Sequence, residues 1–178
     1  VDPSATDVVV PDGVPMIPSS AFGGYSLLTS FVVSDSVTAI GDYAFQGCSL
    51  LSSFVVSDSV TAIGNGAFQG CSSLTLFVAP DSVKTIGKSA FNGCSLLTTA
   101  SIPSGATLGW RVFDEDSPTT VTMRASGGGP AVVWVPVAIK AFWAMDMKKK
   151  THVEVPYGAT EIPEGALYGC TLLTSIVL

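Results

Sequence analysis

Apolar positions recur along this chain with a period of 23 residues. Ala21-Phe22, Ala44-Phe45, Ala67-Phe68 and Ala90-Phe91 mark one phase of the repeat, and Cys48, Cys71 and Cys94 follow three residues later. Residues 28–50 (LTSFVVSDSVTAIGDYAFQGCSL) and 51–73 (LSSFVVSDSVTAIGNGAFQGCSS) are identical at 19 of 23 positions. Units 5–27 and 74–96 keep the frame, with Tyr25 at the cysteine phase of the first. Unit 97–118 is one residue short and holds its aromatic place with Phe113. Residues 119–149 are a divergent stretch eight residues longer than one unit, and unit 150–172 returns to frame with Leu167 and Cys170. Regular coils are therefore expected over 5–118 and 150–178 of a single array spanning 1–178.

Inside one unit the local period changes. Leu28, Phe31 and Val33 alternate with Ser30 and Val32, the two-residue rhythm of a short strand. Ser34-Asp35-Ser36 is turn chemistry, and Val37 with Ile40 forms a second apolar segment ended by Gly41. The next six residues, Asp42 to Gly47, suit one or two turns of helix closed by the glycine. So short a unit cannot bury its apolar side alone, and neighbours must stack. The expected fold is an α/β repeat: a solenoid of six to seven coils with short parallel strands and short helical turns. At ~4.8 Å per strand the stack would be roughly 30 Å long.

The consensus L-x-x-F/I-x-V/I-P/S-x-x-V-x-x-I-G-x-x-A-F-x-G-C-x-x resembles the BspA-type leucine-rich repeat over 5–118 and 150–178. It is distinct from the L-x-x-L-x-L-x-x-N form, whose asparagine is missing. The resemblance implies a leucine-rich-repeat solenoid that binds other proteins without catalysis, of a type often displayed as an adhesin on bacterial and protist surfaces.

Composition sharpens this. The 178 residues are 47% hydrophobic and only 12% charged, about half the usual charge supply. That excludes disorder, which needs low hydrophobicity and high charge. A net charge of −6 argues against nucleic-acid binding, which needs a basic footprint. No run of 18 uncharged apolar residues occurs, so no helical span is expected. The sequence opens on Val1 rather than Met and no charged-then-apolar leader follows it, which fits either a removed targeting segment or a piece of a longer chain.

Reactive constellations are scarce. Cys48, Cys71, Cys94 and Cys170 share one repeat phase, which predicts a stacked column of small buried side chains rather than disulfides or a metal cluster. Gly87-Lys88-Ser89 imitates the end of a phosphate-binding loop, but Ser82 stands where its first glycine belongs. His152 is the sole histidine, which leaves no Ser-His-Asp grouping to argue. Asp12, Asp35, Asp58 and Asp81 form a column read as turn-closing side-chain bonds. No enzyme activity, cofactor or metal is expected.

Two surfaces are singled out for partner binding. With Phe31 and Val33 inward, Val32 faces out, and so do Val9, Val55 and Val78, with Leu76 diagonally beside them. Strand propensity alone also favours valine there, whereas a contiguous apolar strip marks an interaction surface. The second is the stretch 131–150, which carries Trp134, Phe142, Trp143 and Lys148-Lys149-Lys150. It reads equally as a degenerate core coil or as an interfacial docking peg. The partner is then another protein, either met at the cell surface by an adhesin or, alternatively, a large membrane-associated complex of an organelle on which the chain is an accessory structural subunit. The apolar last strand, Ile176-Val177-Leu178, fits a longer native chain or a partner covering an open edge.

Overall fold

The computed structural model describes residues 2–114 and 119–124, together with three further short strands. In coils one to four the alternation becomes a three-residue strand, in coil five a five-residue one, and the second apolar segment becomes a two-residue strand. Coil one supplies β1 (Asp7–Val9) and β2 (Met16–Ile17), and coil two β3 (Ser30–Val32) and β4 (Ala39–Ile40). Coil three supplies β5 (Ser53–Val55) and β6 (Ala62–Ile63), and coil four β7 (Leu76–Val78) and β8 (Thr85–Ile86). Coil five adds β9 (Thr99–Pro103) and β10 (Thr107–Leu108), and β11 (Thr120–Arg124) opens a sixth.

The first strands pair in parallel at a 23-residue offset from coil one to coil three and from coil four to coil five, as in Asp7↔Ser30↔Ser53 and Leu76↔Thr99, and β9 pairs with β11 at an offset of 21, Thr99 opposite Thr120. The second strands form one continuous five-stranded ladder, β2-β4-β6-β8-β10. Five coils are thus described where six to seven were expected. β12 (Val132–Trp134) breaks the parallel rule by pairing antiparallel with β11, Val121 opposite Trp134. β13 (His152–Glu154) and β14 (Ser175–Val177) pair in parallel, His152 opposite Ser175, which restores the 23-residue offset.

The expected helical turns are absent: among the described residues the segment after each second strand is a run of hydrogen-bonded turns. Left-handed backbone at Ser20 (φ 56°), Tyr43 (φ 56°), Ser89 (φ 55°) and Gly66 (φ 57°) interrupts any helix there. Alternate N–H groups divide their labour. Ala44, Gln46 and Cys48 donate within the coil to residues three back. Tyr43, Phe45 and Gly47 donate instead to the carbonyls of Asn65, Ala67 and Gln69 in the following coil. The matching donors Ser20, Phe22 and Gly24, Gly66, Phe68 and Gly70, and Ser89 and Phe91 run the same way, from a coil to its successor, and the sense reverses only outside this segment, as where the Ser73 N–H donates back to the Ser49 carbonyl.

The core fills the space between the three faces. Phe22, Phe45, Phe68, Phe91 and Phe113 stack at centroid spacings of 5.2–5.4 Å with rings within 12° of parallel. Phe31 and Phe54 meet this column edge-on at 4.6–4.9 Å. Such pairs contribute about 0.5–1.5 kcal/mol each beyond area burial. Gly41, Gly64 and Gly87 occur where one coil presses on the last: a Cβ on Gly64 would lie 2.5 Å from the Asp42 nitrogen. Gly87 therefore belongs to a packing column, which accounts for the phosphate-loop imitation at Gly87-Lys88-Ser89.

Candidate functional site

Cys48, Cys71 and Cys94 are buried free thiols in a column, and each does more than fill space. Their Sγ–H groups donate to the carbonyls of Phe22, Phe45 and Phe68 in the preceding coil, at 3.1, 3.2 and 3.2 Å. Burial pushes Cys48 up to about 11 and Cys94 up to about 12, and raises Cys71 furthest, with its cysteine neighbours adding to the effect. Thiols so protonated are inert as nucleophiles. Cys170 lies outside the described residues. Among the described residues no group of three or more His, Cys, Asp or Glu could hold a metal.

A second column, missed by sequence reasoning, runs along the third face. Gln46 Nε2 donates to Gln69 Oε1 at 2.9 Å, Gln69 Nε2 to Asn92 Oδ1 at 3.3 Å, and Asn92 Nδ2 to Asp114 Oδ1. The other Asp114 oxygen accepts from the Gly93 N–H at 2.7 Å, standing in for a carbonyl of the next coil. The signal was available: the three amides repeat at 23, and the shortened fifth unit brings Asp114 in at 22. Beside it, Asp42 Oδ1 takes the Asn65 N–H at 2.7 Å and Asn65 Oδ1 the Lys88 N–H at 2.9 Å. In the aspartate column, Asp35 Oδ1 accepts from Ser57 Oγ of the following coil at 2.8 Å, and in that following coil Ser57 Oγ closes the turn by accepting from the Ser59 N–H.

The strand face carries the exposed apolar surface. Val9 is 71% exposed, Val32 38%, Val55 53%, Leu76 53% and Val78 47%. Register places Val9, Val32 and Val55 side by side, and Val78 beside Ser101. The face is not continuous, however. β5 closes the sheet β1-β3-β5, and β7 opens a separate sheet, β7-β9-β11-β12. Val33 donates to the Val55 carbonyl and Ala79 to that of Ser101, but no equivalent bond leaves Val56 for Val78. The other two faces hold across this junction, through β6 with β8 and Phe68 N–H with the Ala90 carbonyl. Coils three and four therefore part on one face only, like a book hinged along its other two.

The opening is a cleft of about 540 Å³. Phe54, Val55, Val56, Leu76, Val78 and Pro80 form its apolar lining, with Asp58 and Asp81 toward the turn. Phe54 is half-buried, whereas Phe31 and Phe77 at the same phase are fully enclosed. Leu76 and Pro80 are departures of coil four from coil three, which carries Ser53 and Ser57 there.

Of the second predicted surface, Trp134 falls on β12; Phe142, Trp143, Lys148, Lys149 and Lys150 lie outside the described residues. Trp110, which sequence reasoning passed over, is 53% exposed, with Lys88 Nζ 5.2 Å and the Arg111 guanidinium 4.9 Å from its ring centre. No helix of the described residues is long and apolar enough to cross a membrane.

Residues 2–126 match, in six copies, the sequence profile of the BspA type leucine rich repeat region. No curated protein matches the chain. Among solved structures, a Treponema pallidum leucine-rich repeat protein is 24% identical with a TM-score of 0.65, over 98% of this chain and 70% of that one. One from Eubacterium ventriosum is 21% identical with a TM-score of 0.60, over 97% of this chain and 47% of that one. One from Bacteroides ovatus is 25% identical with a TM-score of 0.51, over 64% of this chain and 35% of that one.

Proposed function

Because the chain belongs to the BspA-type leucine-rich repeat family, we propose that it is a protein-binding scaffold that acts as a surface adhesin through its strand face. The repeat family and its fold are typically non-catalytic. The observation that carries the reading is the row Val9, Val32, Val55 and Val78, exposed on one face with Leu76 beside it. Within the row, Val9, Val32 and Val55 lie side by side, and contiguous apolar surface of this kind marks interaction sites. The docked-subunit alternative rests on the low charge, the open ends and residues 131–150, of which only β12 is described.

Val9→Glu combined with Val32→Glu tests the face, since both residues stand apart from the cleft between coils three and four. Burying a valine contributes about 1.5 kcal/mol, so losing two corresponds to roughly 100-fold in affinity. Beads coated with the wild-type chain are expected to adhere to cell monolayers, and beads carrying the double variant to lose most of that adhesion while its circular dichroism is unchanged. Equal adhesion by the two proteins refutes the strand face as the contact, and adhesion by neither refutes the adhesin.

A further inference from the structure

We infer that the cleft between β5 and β7 is a docking site for an extended basic segment of a partner protein, seated with an apolar side chain between the parted strands. This deepens the proposed binding role and rests on it. Three observations converge on that occupant. First, the cleft is about 540 Å³, within the ~300–1,000 Å³ of ordinary ligand pockets. Its apolar lining includes Leu76, which replaces a serine of the two preceding coils and is half-exposed. A side chain entering there displaces water from Phe54, the one phenylalanine of its phase that is not fully enclosed among Phe31, Phe54 and Phe77.

Second, the strand edges facing the cleft lack the rung that joins coils elsewhere: Val33 and Ala79 donate across their junctions and Val56 does not. A polypeptide backbone supplies alternating donors and acceptors to such an edge, whereas a compact small molecule does not. Third, the charge at the turn end is negative. Asp58 and Asp81 line the cleft, and Asp12 and Asp35 continue the column in the preceding coils. Lys or Arg residues flanking the apolar anchor complement it. A second copy of this chain is disfavoured by the same sign, since each carries a net charge of −6.

The test is fluorescence anisotropy on the full chain with a fluorescein-labelled ten-residue peptide alternating Val with Lys. Saturable binding that weakens as salt is raised is expected, with none for the counterpart alternating Val with Glu. Asp58→Asn with Asp81→Asn is expected to weaken binding about fivefold. Leu76→Ser, which restores the residue of the neighbouring coils and so keeps the fold, is expected to cost about tenfold. Leu50→Ser, at an exposed position outside the cleft lining where the following coil carries Ser73, leaves affinity unchanged. Equal binding of the two peptides overturns the inference, as does wild-type affinity in both cleft variants. Displacement of the peptide by hexylamine at equal concentration shows a small-amine pocket and also overturns it. Bead adhesion separates the two readings: adhesion without peptide binding overturns the cleft alone, and peptide binding without adhesion overturns the adhesin alone.

Discussion

Replacing Gly64 with alanine is the sharpest test of how the coils are held. A Cβ at that position would lie 2.5 Å from the Asp42 nitrogen and 2.6 Å from the Gly41 carbonyl carbon, both backbone atoms with no rotamer to yield. Ordinary van der Waals contact for a Cβ begins at 3.4 Å, so coils two and three must separate by roughly 0.9 Å at this point. The rungs on either side are short: Gly64 N–H to Ile40 carbonyl 2.8 Å, Asn65 N–H to Asp42 Oδ1 2.7 Å, and Tyr43 N–H to Asn65 carbonyl 2.8 Å. Lengthened by that amount, all three leave the hydrogen-bonding range of ~2.7–3.2 Å. At about 1 kcal/mol each, with overpacking of ~1–3 kcal/mol opposed by an unfolded-state gain of ~0.4–1 kcal/mol, the net loss is about 4 kcal/mol. That is a large share of the ~5–15 kcal/mol that stabilises a typical domain. Urea denaturation followed by circular dichroism measures it, and Gly105→Ala is the control. Nothing lies within 4 Å of a Cβ at Gly105 and its φ is not left-handed, so a change within about 0.5 kcal/mol is expected there. If Gly64→Ala loses under about 1 kcal/mol, or Gly105→Ala falls equally far, close backbone approach is not what sets the coil spacing.

Three further outcomes follow from the cysteine and amide columns. Cys48, Cys71 and Cys94 should resist iodoacetamide at pH 8 until urea is added, and rapid modification of all three in the folded chain would contradict their burial. Their titration also sets a pH dependence. The unfolded thiols ionise near their ordinary 9.0, whereas the folded Cys48 and Cys94 hold their protons to about 11 and about 12. The contribution is full below pH 9 and is lost as pH rises through those folded values, so the wild-type melting temperature should fall more steeply above pH 9 than that of Cys48→Ala with Cys94→Ala. Asp114→Ala orphans the Gly93 N–H and the Asn92 amide and is expected to cost about 1–3 kcal/mol. Asp114→Asn keeps one acceptor oxygen and should fall between it and wild type in urea midpoint, and an alanine variant as stable as wild type would remove Asp114 from the account.

The period, the strand phase and the outward valines were legible because two independent rhythms, 2 and 23, agree through the first four coils. What the sequence misled on is the third face. Ala44-Phe45-Gln46 before Gly47 has the composition of a short helix, and local propensity cannot register that carbonyls of the next coil take alternate N–H groups. The cysteine column was placed in the core from its spacing, but its bonds to the Phe22, Phe45 and Phe68 carbonyls need the coil offset in space. The parting at β5 and β7 was hidden for another reason. Leu76 was noticed as an outward apolar residue and Asp58 and Asp81 as members of a column, yet nothing in one dimension joins them into a cleft.

The one-way bonding of the third face gives the array a direction. Each coil there presents donors to its successor and acceptors to its predecessor, so a 23-residue insertion or deletion in register orphans no backbone group on that face, and the near-identity of units 28–50 and 51–73 is the pattern such duplication leaves. Adding a coil extends reach by ~4.8 Å without a new design problem. The amide column runs in the same sense, and a carboxylate can receive but not pass on a proton donor. Asp114 is thus a full stop in that grammar: duplication is free anywhere before it, whereas a coil added after it must begin a column of its own.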